Sequence, residues 1–326
     1  MQDSYKLFQK FSNHAHSGSV KSIAFSPSSG MLVSGGSDEI CHLLDLKRRK
    51  ELGNLIEQEG AITWIEFFGN RHMFTASEDR SICVWNTKTW ECVKKLVGHK
   101  SAVTGLAIHP TGKLMLSIGK DKTVRTWNLI QGRCAFVTNL KEPASLVRWV
   151  PDGKRFVLVY DKRVDMYCAT NCGVIRTIEQ EHGINCLLFL TDSLIAVGAE
   201  NESILLYDID EARQVFAFKA HERRVKSICQ VPKEALPGLR STVDHVICST
   251  SSDGTIKIWS LELTSGSNAA AELVAEINSK CRPNCVTIAS VSDSQEEQGQ
   301  DAEHVQAGKK RKQGEKKTKK KMLKKK

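Results

Sequence analysis

Long apolar runs are absent from this chain. None approaches the ~18 residues that a membrane-spanning helix needs, and the opening MQDSYKLFQKF lacks the apolar core of a signal peptide. Neither a membrane partner nor a secretory route is expected. Catalytic signatures are missing too: no Gly-rich phosphate loop, no HExxH and no paired carboxylates rise above background. No enzyme, no cofactor and no small-molecule substrate is therefore expected. Cysteine is plentiful, with 11 residues, but zinc-type grouping is not. The pairs Cys168/Cys172 and Cys281/Cys285 each enclose three residues and have no second pair at finger spacing, which argues against a metal centre. Cys41, Cys83, Cys229 and Cys248 fall inside apolar runs and read as small core hydrophobes. Reduced thiols of an intracellular protein are the expectation.

Positive charge is missing from most of the molecule. The formal net charge is +10, yet residues 309–326 carry 12 Lys and Arg against one Glu, a net of +11, which leaves the preceding 308 residues at −1. The block consists of Lys309, Lys310, Arg311, Lys312, Lys316, Lys317, Lys319, Lys320, Lys321, Lys324, Lys325 and Lys326. Residues 292–326 have almost no apolar side chains, cannot offset the entropy of ordering, and are expected to be disordered. A purely solvated extension is one reading of the block. A nuclear or nucleolar address that also touches RNA backbone accounts better for its density. No lipidation motif sits beside it to make a membrane anchor. It has no aromatics to stack on bases, so contact with RNA would be electrostatic and blind to sequence.

What the chain has in quantity is a repeat. The stretch GHKSAVTGLAIHPTGKLMLSIGKDKTVRTWN, Gly98 to Asn128, reads as three short strands separated by Gly-, Pro- and Asp-containing turns. Its turn acid, Asp121, has equivalents at Asp38, Asp79, Asp161, Asn201 and Asp253, with successive spacings of 41, 42, 40, 40 and 52 residues. Four-stranded propeller blades repeat every ~40–45 residues. The long last interval contains Pro232 to Asp244, rich in Pro, Gly and charge, which reads as a surface loop. Six residues after each turn comes a large side chain: Leu44, Trp85, Trp127, Tyr167, Tyr207 and Trp259. Fourth strands are expected at 51–56, 92–96, 133–137, 174–178, 214–218 and 272–277.

Six blades result. Tyr5–Phe11 then looks like one more outer strand and Asn284–Val291 one more first strand. Joining them across a ring builds part of a seventh blade and removes free sheet edges. Its second and third strands have no candidates, so upstream sequence is expected to supply them, and the ring without it is expected to close weakly. The fold class is thus all-β, a seven-bladed propeller over 5–291 with six clear blades and an incomplete seventh shared by the two termini. The basic tail at 292–326 follows it.

The set His99, Ser117, Asp121, Trp127 looks superficially like a catalytic triad. The repeat that carries it resembles the WD40 family, and the resemblance implies a structural role: Asp accepts from His, His meets Ser, and Ser meets the indole N–H. His221, Ser249, Asp253 and Trp259 repeat the full set. The first repeat keeps His16, Ser34 and Asp38 but has Leu44. The second keeps Thr75, Asp79 and Trp85 without a His. The fourth and fifth lack the His, and the fifth has Val197 for Ser.

Candidate partner contacts lie in the rim turns: Arg80, Lys100, Lys120, Lys122, Arg223 and Arg224, where ordinary solvated charge is the competing reading. Trp90 is either an exposed aromatic or, more simply, core; Trp64 and Trp149 read as core beside the channel. The blocks FFGNRHMFTASEDRSICVWNTKTWECVKKLVGHK (67–100), HPTGKLMLSIGKDKTVRTWNLIQGRCAF (109–136), FKAHERRVKSI and TSSDGTIKIW resemble the WD-repeat proteins that interact with p21-activated protein kinases. That resemblance implies a nucleolar scaffold in large-ribosomal-subunit assembly, with pre-ribosomal proteins and pre-rRNA as partners. Its alternative is an adaptor that binds and inhibits a p21-activated kinase. A ubiquitin-ligase receptor would carry WDxR after the third strand; WNTK (85–88), WNLI (127–130) and WSLE (259–262) stand there instead.

Overall fold

The computed structural model describes residues 5–27, 30–236, 238–263 and 269–288. The expected disordered tail and basic block lie outside the described residues. By contacts the chain divides into Met1–Ser290 and Val291–Lys326, and the strands belong to the first unit. They form six four-stranded antiparallel sheets, each with its strands in sequence order. Blade 1 runs from Val20–Phe25 to Lys50–Leu55, blade 2 from Ile62–Phe68 to Cys92–Val97, and blade 3 from Val103–Ile108 to Arg133–Asn139. Blade 4 runs from Leu146–Trp149 to Val174–Glu179, blade 5 from Ile184–Phe189 to Arg213–Lys219, and blade 6 from Val225–Gln230 to Ala270–Asn278.

Second strands such as LMLSIG and LIAVGA are buried almost end to end because neighbouring blades cover both their faces. Fourth strands such as CVKKLV keep most of their side chains in solvent. The core accordingly lies between blades. Val33, Leu43 and Leu55 of blade 1 pack with Ile62, Ile65 and Met73 of blade 2. Separate clusters join blades 2 and 3, 3 and 4, 4 and 5, and 5 and 6. Fully buried side chains such as Leu106, Met115 and Ile118 each contribute about 1.5–3 kcal/mol relative to exposure.

Among the described residues the sixth cluster has no second sheet. Val246, Cys248 and Ile258 of blade 6 are covered instead by Tyr5 and Leu7 from one terminus and Val286 and Ile288 from the other. The expected strands at Tyr5–Phe11 and Asn284–Val291 are not paired as strands among the described residues, because no second or third strand lies between them to complete a ladder. Even so, residues 284–288 occupy the place of a first strand. Thr63 Oγ1 of blade 2 donates to Val103 O of blade 3 at 2.7 Å, and Asn185 Nδ2 of blade 5 donates to Val225 O of blade 6 at 3.0 Å. Asn284 Nδ2 makes the corresponding bond to Val20 O of blade 1, also at 3.0 Å. Likewise Ile65 N donates to Ser22 Oγ of the blade before it, and Val286 N to Ser227 Oγ. The ring therefore has seven positions and six sheets among the described residues. The insertion departs from a plain surface loop: Val243 is buried, and Leu236 and Leu239 pack on the sixth cluster.

Candidate partner-docking surfaces

In blade 3 the His–Ser–Asp–Trp residues form one continuous chain. His99 Nδ1 lies 3.0 Å from Asp121 Oδ2 and its Nε2 2.7 Å from Ser117 Oγ, which accepts from Trp127 Nε1 at 2.8 Å. Burial pushes the Asp121 carboxyl up, but N–H and O–H donors from Lys100, Thr123 and His99 outweigh it and hold the group below its usual range. An ionised Asp121 only accepts, so Nδ1 carries the proton and Nε2 accepts from Ser117. Gly119 is required here: a Cβ on it would fall 2.8 Å from His99 Nδ1 and 2.9 Å from Asp121 Oδ1. In blade 6, His221 Nε2 lies 2.8 Å from Ser249 Oγ, Trp259 Nε1 donates to the same oxygen at 3.0 Å, and Thr255 stands between His221 and Asp253. Burial pushes the His221 imidazole down to about 4, and Asp253 sits at about 2, burial being overcome by its Thr255 and Glu222 donors. Each group is held by its neighbours inside the blade. No nucleophile faces a cleft in these sets.

Blade 2 has no His, but Gln58 takes its place. Gln58 Oε1 accepts from Thr75 Oγ1 at 2.5 Å, its Nε2 donates to Ser81 O at 3.1 Å, and Trp85 Nε1 donates to Thr75 at 2.9 Å. Sequence reasoning missed this residue, although Gln58 stands four residues before its first strand just as His99 does. Gln180 stands at the same place in blade 5. With Val197 opposite it, both its amide atoms are buried without a partner. Blade 4 substitutes a contact of Tyr160 and Tyr167 hydroxyls at 3.3 Å, and blade 5 a bond from Tyr207 to Gln214 at 3.3 Å.

The tetrads put the second-to-third-strand turns and the links into each first strand at one end of the blades. All six rim candidates lie there and are exposed. Arg80 and Lys122 occupy left-handed turn positions, φ 74 and 57. Arg80, Lys100, Lys120 and Lys122 gather on adjacent blades 2 and 3, whereas Arg223 and Arg224 stand on blade 6. The rim is not a uniform basic patch. Glu78 accepts from Lys21 Nζ at 3.1 Å and lies 4.0 Å from Lys120, Lys95 faces Asp79 at 3.4 Å, and Lys219 bridges Glu202 and Glu222 at 3.2 Å each. Exposed pairs of this kind contribute about 0–1 kcal/mol each, so they shape the field of the rim more than its stability.

The first strands of blades 1, 2, 4, 5 and 6 and residues 284–287 line a channel of about 680 Å³. Trp64 and Trp149, expected as core beside it, line it and are half-buried. Arg148 of blade 4 stacks on Trp64 of blade 2, its Cζ 4.3 Å from the ring centroid. Glu66 accepts from Trp64 Nε1 and Ile108 N, each at 3.2 Å. Burial raises the Glu66 carboxyl despite those donors and the Arg148 charge. Trp90 is half-buried and packs against the cluster between blades 1 and 2. All 11 cysteines are free thiols; Cys41, Cys83 and Cys248 are buried as expected, and Cys229 is half-buried.

The profile of the WD domain, G-beta repeat family matches residues 6–45, 49–86, 90–128 and 212–260, about half of the chain. It passes over blade 4 and most of blade 5, neither of which has a His four residues before its first strand. The chain is 40% identical over 278 residues to "p21-activated protein kinase-interacting protein 1-like" of Gallus gallus, covering 85% of this chain and 72% of the relative. It belongs to the WD40-repeat family, in the branch of these kinase-interacting proteins. It is also 28% identical over 324 residues to "Protein MAK11" of Saccharomyces cerevisiae, covering 86% and 75%. Similarity to "Shk1 kinase-binding protein 15" of Schizosaccharomyces pombe is 26% over 251 residues, covering 75% and 68%.

Proposed function

We propose that this chain is a non-catalytic scaffold for nucleolar assembly of the large ribosomal subunit. The propeller docks pre-ribosomal proteins on its rim, and the basic block 309–326 contacts pre-rRNA in the nucleolus of the nucleus. The observation that carries this reading is the partition of charge: −1 over 308 residues and +11 in the last 18. A WD40 ring alone serves many roles, and a phosphate backbone is the partner such a block suits. Deleting residues 309–326 is expected to abolish nucleolar retention and to flatten the salt dependence of RNA affinity; unchanged localisation and salt slope would overturn the assignment. Depletion of the protein should in turn leave precursor rRNA unprocessed.

A second reading rests on the names of the chicken and fission-yeast relatives, one kinase-interacting and one kinase-binding. Here the propeller binds and restrains a p21-activated kinase. Affinity purification with mass spectrometry separates the two: assembly factors of the ribosome favour the first, a p21-activated kinase without them the second.

A further inference from the structure

Blade 1 departs from blades 3 and 6 in a way that leaves three metal-ligating side chains facing one another. Leu44 replaces the indole donor, so Ser34 Oγ receives no N–H from a Trp. His42, on the third strand, turns its ring edge-on to His16, with centroids 4.3 Å apart. His42 Nε2 is buried and has no hydrogen-bond partner. It lies 3.8 Å from Asp38 Oδ2, and the same oxygen lies 2.8 Å from His16 Nδ1. Ligand atoms of the three residues all fall within 4.8 Å of one another.

We propose that His16, Asp38 and His42 form a three-ligand site for a divalent transition-metal ion of the zinc class, with a fourth position open to water. Tetrahedral bonds of about 2.0–2.2 Å place neighbouring ligand atoms about 3.3–3.5 Å apart, and the separations of 2.8 and 3.8 Å bracket that value. The outer contacts suit the task. His42 Nδ1 lies 2.9 Å from Glu51 Oε1, so its proton can sit on Nδ1 and leave the Nε2 lone pair free. His16 Nε2 lies 2.8 Å from Ser34 Oγ. That oxygen, free of an indole, can accept from Nε2–H and release Nδ1 as a ligand. A carboxylate or hydroxyl behind each imidazole is the usual way of fixing the metal-binding tautomer. Two imidazoles and a carboxylate select zinc and its neighbours over calcium or magnesium. The cysteine spacing that argued against a metal centre does not bear on this one, which uses no thiol. The ion would tie the segment entering blade 1 to its turn and third strand, next to the incomplete seventh position.

The Asn54 amide is the competitor: turned so that its NH2 faces His42 Nδ1 at 2.9 Å, it places the proton on Nε2. The test is titration of the untagged, reduced full chain with Zn²⁺ by calorimetry and with Co²⁺ by absorption. One ion per chain is expected, with nitrogen–oxygen d–d bands and no thiolate charge transfer. His42→Leu should lower affinity at least 100-fold. Glu51→Gln, on a partly exposed residue that leaves folding intact, should lower it by about 10–100-fold. Wild-type affinity in Glu51→Gln, thiolate charge transfer, or no ion bound by the wild-type chain would each overturn the proposal.

Discussion

Blades 3 and 5 have the same four strands and nearly the same register, yet different interactions lock them. In blade 3, Ser117 sits between His99 and Trp127, and every member of the chain has a partner. In blade 5, Val197 stands where Ser117 does, and Gln180 is buried with neither amide atom bonded. Blade 5 is held instead by apolar packing against blade 4, with Ile195, Val197 and Ile209 inaccessible or nearly so. The polar chain is thus one way of fixing a blade, and the inter-blade core is what the blades share.

The comparison can be broken most forcefully at Trp127. Trp127→Ala is expected to destabilise the propeller by about 3–5 kcal/mol, from lost burial and an orphaned Ser117. Urea denaturation followed by fluorescence of the remaining tryptophans checks this; a loss below that of Tyr207→Ala would refute the greater weight given to blade 3. Acid should come next. His221 is buried neutral with a pKa of about 4, against an ordinary value of 6.5, and burial lowers His99 too. In that window the unfolded chain takes up protons that the fold refuses. Stability is therefore full above pH 6.5 and falls towards pH 4, by about 2–3 kcal/mol for His221. A denaturation midpoint that stays flat between those pH values would contradict the assignment, and His221→Gln should shrink the fall to the part that His99 contributes.

Glutamines in equivalent places should respond with opposite signs. Gln58→Leu strips partners from Thr75 and Ser81 and should cost about 1–3 kcal/mol. Gln180→Leu removes an amide that bonds to nothing and should be neutral or stabilise by about 1 kcal/mol. Calorimetry on both variants decides it: equal losses would mean that Gln180 has a partner after all.

Much of the architecture was readable in advance. The turn Asp and Asn residues at 40- to 42-residue intervals and the large residue six places on located five blades, and the longer interval located the sixth. The sequence places Asn284 in a first strand, and its bond to Val20 agrees in position, although no ladder forms among the described residues. Gln58 and Gln180 were overlooked despite a usable signal, the repeated IEQE at 56–59 and 178–181. His42 and Arg148 gave no such signal. His42 matters because Leu44 replaced a Trp and left Ser34 without its donor. Arg148 matters because Trp64, two blades away, offers it a ring face.

The sequence by itself determined the blade, since strand periodicity, turn chemistry and repeat length are written within some forty neighbouring residues. It also determined the separation of a neutral body from a basic end, because charge needs no fold to be counted. Only the tertiary structure decided that Gln58 finds partners and Gln180 none, that the rim mixes both signs of charge, and that the seventh position, among the described residues, holds an inner segment without a sheet. Those outcomes depend on groups far apart in the chain, as the Asn284 side chain and the Val20 carbonyl meet across 264 residues. Contacts at such range arise only when the ring has brought its parts together.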